Sequence, residues 1–227
     1  MSADFKLNVI RNNQEIGNIV PSIEEYKEDL FNLKISSSVS KFPIANLFSK
    51  SIEINKLFMT FSKNDFLGIS TRINMNDDFK PFFKGVFMNK NIKYTKDTNE
   101  TELTISAIHS AFKLTYIQFN DIKSYNNIRF DDFLNEIANI IDIKPNDILA
   151  SDDIKKINIR LISYNTNIFR IFKDICLQNN LSVNFEMNNT ILIEYAKDKV
   201  KRILGQEPVV TLTQDDILSM SNTEGIV

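Results

Sequence analysis

Apolar positions in the first half of the chain recur with a period of two. Phe31, Leu33 and Ile35 alternate with Asn32, Lys34 and Ser36, the pattern of a half-buried strand over residues 30–39. Upstream, residues 5–10 and 16–20 enclose the polar stretch Arg11-Asn12-Asn13-Gln14 and predict a hairpin. Residues 51–55 repeat the alternation through Ile52 and Ile54, while 56–66 fits helix and strand equally well. Residues 85–96 and 101–108, on either side of Asp97-Thr98-Asn99-Glu100, predict a second hairpin. Residues 1–123 therefore read as an antiparallel β-barrel or sandwich with long connections.

The period changes after Ser124. Phe130, Phe133, Leu134, Ile137, Ile140 and Ile141 recur every three or four residues, which predicts an amphipathic helix with Pro145 beyond its end. Residues 157–163 alternate as a strand. Asn165 or Thr166 is the expected N-cap of a second helix that presents Ile168, Phe169, Phe172, Ile175 and Cys176 on one face, closed by Asn179-Asn180. Residues 181–186 and 191–195 form a hairpin around Met187-Asn188-Asn189-Thr190. The fold class is α+β, with a β domain over 1–123 and a small α+β domain of two helices on a short sheet over 124–195. The strip 196–227 is expected to supply C-terminal strands. Within it, 197–204 reads as strand or short helix, 209–212 is strand-like, and 217–227 is too apolar for a free solvated end.

Composition narrows the function classes. With 43% hydrophobic and 25% charged residues the 227-residue chain has the make-up of a folded globular protein. No apolar run reaches the roughly 18 residues of a membrane span, and the first residues lack the basic-then-apolar order of a secretory signal. The formal net charge is −2, without the cationic surplus of a duplex-DNA binder. Residues 1–123 carry 16 Lys and Arg against 14 Asp and Glu, the rest 11 against 15, an asymmetry too mild to name a partner. Glycine is scarce, at five residues. Asparagine is abundant and is expected to fill turn and cap positions, since it tolerates the left-handed conformation better than most residues.

Candidate chemistry is sparse. The single histidine, His109, ends an alternating run and reads as a structural residue at a strand end. The isolated glycines at 17, 68, 85, 205 and 225 exclude a glycine-rich phosphate loop. One cysteine, Cys176, excludes an internal disulfide and a Cys-based zinc site, and its place between Ile175 and Leu177 reads as core packing. The acidic pairs Asp77-Asp78, Asp131-Asp132, Asp152-Asp153 and Asp215-Asp216 read as solvated surface, Asp131-Asp132 in the first turn of a helix where negative charge suits the dipole. The basic run 197–202 reads as a solvated face. Phe79-Lys80-Pro81-Phe82-Phe83-Lys84 has the composition of a single-strand nucleic-acid platform, but entry into a core strand is the simpler reading. No catalytic, cofactor-binding or metal-binding residues are assigned, and no enzymatic activity is expected.

The order of segments resembles a known family. It rests on Pro81-Phe82-Phe83-Lys84-Gly85-Val86-Phe87, the arm Thr101-Glu102-Leu103-Thr104-Ile105-Ser106-Ala107 and the short Phe112-Lys113-Leu114. Ile128-Arg129-Phe130-Asp131-Asp132-Phe133-Leu134, Tyr164-Asn165-Thr166-Asn167 and Ile191-Leu192-Ile193 complete it. Together these resemble the baseplate hub proteins of phage tails, of the late control protein D type, and their counterparts in contractile injection systems. The resemblance implies a tail-tube-type barrel followed by a small α+β domain, with 196–227 beginning a second tube-like barrel. It implies a virion structural protein of the tail baseplate, made in the bacterial host cytoplasm, that joins the tail tube to the central spike. Its partners would be itself, as a homotrimer, and the tube, spike and other baseplate proteins; DNA would pass through the lumen without specific binding, and this chain would not insert into a membrane. The second unit is also similar to the short N-terminal domains of secretins and TonB-dependent receptors, which implies a ring-forming docking module. A tail-associated cell-wall hydrolase is the third class, and it lacks a recognisable carboxylate or metal site.

Overall fold

The computed structural model of the chain describes residues 4–12, 14–22, 30–38, 41–62, 65–72, 76–96, 100–119, 123–163 and 166–205. Seven strands form one antiparallel sheet: β1 (Asp4–Arg11), β2 (Gln14–Ile19), β3 (Phe31–Ser38), β4 (Lys41–Ser49), β5 (Phe66–Arg72), β6 (Lys80–Thr95) and β7 (Glu100–Ile108). Their order is β2-β1-β5-β6-β7-β4-β3. Alternate side chains converge on one face, where Leu7, Val9, Ala45, Leu47, Leu67, Ile69, Phe83, Leu103 and Ile105 are buried in a single core.

These seven strands form one open sheet, not the expected barrel or sandwich, and among the described residues β2 and β3, its two ends, do not pair with each other. Helix α1 (Ile52–Met59) lies over the core instead, burying Ile54 and Phe58 among the strand residues. The helix approaches β2 so closely that a Cβ on Gly17 would lie 2.7 Å from Leu57 Cδ1. On its other side Asn55 Nδ2 donates to Thr101 O at 2.8 Å. The alternation of Ile52 and Ile54, which predicted a strand, belongs to this helix. Ser51 caps it, its Oγ accepting from Ile54 N at 3.4 Å, and Ile54 and Phe58 point inward four residues apart. Between α1 and β5, the buried Asp65 takes a two-pronged bond from Arg11, with both contacts at 2.7 Å, which pins this connection to β1.

The remaining elements are β8 (Gln118–Phe119), β9 (Lys123–Arg129), α2 (Phe130–Ile141), β10 (Ile148–Leu149), α3 (Asp152–Lys155), β11 (Asn158–Ser163), β12 (Thr166–Asn167), α4 (Ile168–Gln178), β13 (Leu181–Phe185), β14 (Ile191–Tyr195) and α5 (Ala196–Leu204). Helices α2 and α4 bury Phe133, Ile137, Ile171, Phe172 and Ile175 in a second core shared with Ile159, Leu181 and Ile191. The single short sheet expected under these helices is three small ones. β13 and β14 form the predicted hairpin, with β10 added in parallel. β11 pairs with β9 instead of joining the hairpin, and β12 pairs with β8. The N-cap of α4 is Asn167, whose Oδ1 accepts from Arg170 N at 2.9 Å, two residues or one beyond the expected positions. The start of 196–227 is helical, not a strand, because Lys, Arg and Leu favour helix and Ala196 follows directly on β14. Residues 206–227, with the expected strand at 209–212 and the apolar end at 217–227, lie outside the described residues.

Left-handed backbone among the described non-glycine residues occurs at Asn12, Asn127, Asp142, Asn180 and Asn189, and no described glycine has a positive φ. Asparagine has taken the positions that glycine usually fills. Among the described residues no helix is long and apolar enough to cross a membrane.

Candidate assembly surfaces and the buried junction

The sheet and the helical core meet at the end of β7, where His109 leads into a 3-10 turn (Ser110–Thr115). His109 is fully buried. Its Nδ1 accepts from Ala111 N at 3.0 Å, so Nε2 carries the proton and donates to Thr190 O, also at 3.0 Å. Phe42 stacks at 6.3 Å from the ring and Phe185 meets it edge-on at 5.4 Å. Burial pushes the imidazole pKa down to about 4, which the bond to Thr190 only partly opposes. Beside it, Asn189 Oδ1 accepts from Ser110 N at 2.7 Å and from Ser110 Oγ at 2.9 Å. One residue pair further on, Lys84 N donates to Met187 O at 2.8 Å. The β13–β14 turn is thereby fastened to the sheet. Both ring nitrogens are committed to backbone groups, so the histidine is a clamp and has no nitrogen left for a substrate.

Cys176 is buried on α4, and desolvation pushes its thiol up to about 12, far from a nucleophile's range. Asp131 and Asp132 lie in the first turn of α2, Asp152 and Asp153 in the first turn of α3, and Asp77 and Asp78 are exposed. Asp215 and Asp216 lie outside the described residues. Among the described residues no three His, Cys, Asp or Glu side chains gather where a metal ion could sit. In the segment 79–84, Phe83 belongs to the sheet core, Arg72 covers Phe79 at 4.6 Å, and Lys84 lies 4.9 Å over Phe66. That leaves Phe82 as the aromatic it presents to solvent, too little for a base-stacking platform.

What the molecule offers outward is surface. β6 and β7 extend as an arm, paired as far as Thr95 and Glu100, on which Met88, Ile92 and Tyr94 are exposed. Lys93 and Glu102 pair across it at 3.6 Å. The outer sides of β2 and β3 carry no partner strand among the described residues, and such edges are templates for pairing. Two open clefts, of about 520 and 490 Å³, share Leu149 and Leu192 in their walls. Glu194 in the wall of one cleft and Arg202 in the wall of the other bind each other at 2.7 Å, and the remaining charged residues there are Lys155, Asp198 and Glu186. The sequence did not indicate this clamp, because Thr190, the partner of His109, and Asn189, the partner of Ser110, lie some 80 residues away in a polar turn.

No protein-family model and no curated protein matches the chain. Among solved structures, its fold is similar to the 43 kDa tail protein of prophage MuSo2 from Shewanella oneidensis, with a TM-score of 0.55 at 10% identity, over 86% of this chain and 56% of that one. A tail protein from Neisseria meningitidis gives 0.55 at 10% identity, over 85% and 52%. A chain of the Francisella PdpA–VgrG complex gives 0.56 at 14% identity, over 96% and 36%. The likeness is one of fold. The chain spans about half the length of the first two of these proteins and about a third of the last.

Proposed function

We propose that this chain is a structural component of a phage tail or tail-like injection machine, a baseplate hub that joins the tail tube to the central spike. The observation that carries the reading is the fold likeness to two phage-type tail proteins and a chain of a VgrG complex, which runs through both the sheet and the helical unit of this chain. The docking-module alternative, similar to secretin and TonB short N-terminal domains, concerns 124–195 alone and leaves the seven-stranded sheet without a role. In the hub reading 1–123 and 124–195 are two units, fastened at His109 and Asn189.

The work of such a part is mechanical. It presents the same pair of surfaces at each contact of a closed ring, and the exposed β6–β7 arm and the outer sides of β2 and β3 are surfaces of that kind. Three copies meet the threefold spike on one side and the tube on the other. DNA passes through the lumen without specific binding, consistent with a net charge of −2. No reaction is assigned to the chain. The test is the mass of the purified protein at micromolar concentration, alone and with the tube and spike proteins of the same particle. A trimer, or a complex with either partner, supports the hub; a stable monomer that binds neither overturns it.

A further inference from the structure

Helix α5 is mounted the wrong way round for an ordinary surface helix. It lies on the outer face of the β13–β14 hairpin and holds on by its polar side. Lys199 Nζ donates to Ser182 Oγ at 3.0 Å and to Asn184 Oδ1 at 2.7 Å, and Arg202 grips Glu194 at 2.7 Å and 3.2 Å. At 100° per residue Ala196, Val200, Ile203 and Leu204 form one continuous apolar stripe. That stripe faces solvent: Val200 is 54%, Ile203 50% and Leu204 80% exposed. An amphipathic helix normally buries this side and exposes its lysines. Exposed Lys197 and Lys201 border the stripe.

We propose that the apolar stripe of α5 is a docking site for this chain's own residues 206–227. The proposal goes beyond the hub reading and does not rest on it. The segment follows the end of the stripe directly, through Gly205 and Pro208, two residues suited to reversing the chain. It contains Val209, Val210, Leu212, Ile217 and Leu218, enough apolar surface to cover three side chains. Its charges are Glu207, Asp215, Asp216 and Glu224, with no Lys, Arg or His, whereas α5 carries four cations and one Asp. Acidic segment and basic helix are complementary. Two α5 stripes placed face to face would set like charges against each other, which disfavours a second copy as the occupant. The nine-residue helix is about 13 Å long, a distance that four or five extended residues span.

The test is hydrogen exchange on the 227-residue chain without tube or spike, comparing wild type with Ile203→Lys/Leu204→Lys. Both sites are exposed, so the substitutions leave the core intact, and unchanged protection of β13 and β14 verifies this. The amides of 209–212 are expected to exchange at least tenfold more slowly in the wild type than in urea, and to lose that protection in the variant. Lys197→Glu/Lys201→Glu, which reverses the bordering charge, should weaken the protection several-fold. Three results would overturn the proposal: unprotected amides at 209–212 in the wild type, equal protection in the stripe variant, or protection that grows with protein concentration. The second would mean that the segment sits elsewhere, as it would if it began another barrel, and the third that a second copy is involved. Because no tail partner is present, each of these leaves the hub reading standing.

Discussion

Between about pH 6.5 and 4, acid should loosen this fold through His109. The imidazole is buried, neutral and bonded at both nitrogens, with its pKa down from 6.5 to about 4. The charged groups on the elements packed against it, Lys113 on the 3-10 turn, Lys41 on β4 and Glu186 in the hairpin turn, make no hydrogen bond or ion pair to the ring. Protonation would put a proton on Nδ1 against the Ala111 N–H and place a charge between the Phe42 and Phe185 rings. Because the folded pKa lies below the unfolded one, the stability is fully present above about pH 6.5 and is lost as the pH falls toward 4. At about 1.4 kcal/mol per pKa unit, a shift of roughly 2.5 units amounts to about 3 kcal/mol. The assay is urea unfolding from pH 7.5 to 4 for the wild type and His109→Gln, which keeps a donor for Thr190 O and does not titrate. Carboxylates held low by partners, such as Asp65 beside Arg11, titrate in both proteins and cancel in the difference. The wild-type advantage should shrink by about 3 kcal/mol over that window. A difference that stays constant with pH would refute the reasoning.

Other outcomes follow from the same contacts. Phe172→Ala empties the centre of the second core, where the ring is fully buried 6.1 Å from Phe133, and should cost about 3–5 kcal/mol in urea unfolding; a loss below about 1 kcal/mol would mean that the site collapses freely. Asn189→Ala leaves Ser110 N and Oγ without their acceptor and puts a Cβ-bearing non-polar residue at φ 70°, and should cost about 1–3 kcal/mol by the same assay. Cys176, buried and with its thiol pushed up to about 12, should react with Ellman's reagent at pH 8 roughly a thousandfold more slowly than a free thiol until the protein is unfolded.

The sequence exposed the parts whose periodicity was long. The arm of β6 and β7, the hairpin of β13 and β14, and the helices around Phe133 and Phe172 each hold their period over several repeats, so pattern and structure agree. Where the pattern was short, it misled. Ile52 and Ile54 alternate, yet the capping Ser51 and the inward Phe58 make the segment a helix. That helix, set beside Gly17, covers the core of the open sheet where a barrel was expected. Strand β4 shows no clean polar–apolar alternation, because Phe42, Ile44 and Phe48 lie on the face opposite the buried Pro43, Ala45, Leu47 and Ser49. Long-range pairing, such as β11 with β9 and His109 with Thr190, leaves no local trace at all. The orientation of α5 defeats the pattern in a different way. Its periodicity is clear, but which face turns inward depends on the polar outer face of β13 and β14, through Ser182, Asn184 and Glu194.

The central claim is a place in a machine, and it is tested most directly by imaging the assembled tail particle by electron cryomicroscopy. The hub reading predicts three copies of this fold in a closed ring at the junction of tube and spike, with the β6–β7 arm in contact with a neighbouring subunit. Density for this fold elsewhere in the particle, or a particle complete without it, would contradict that reading.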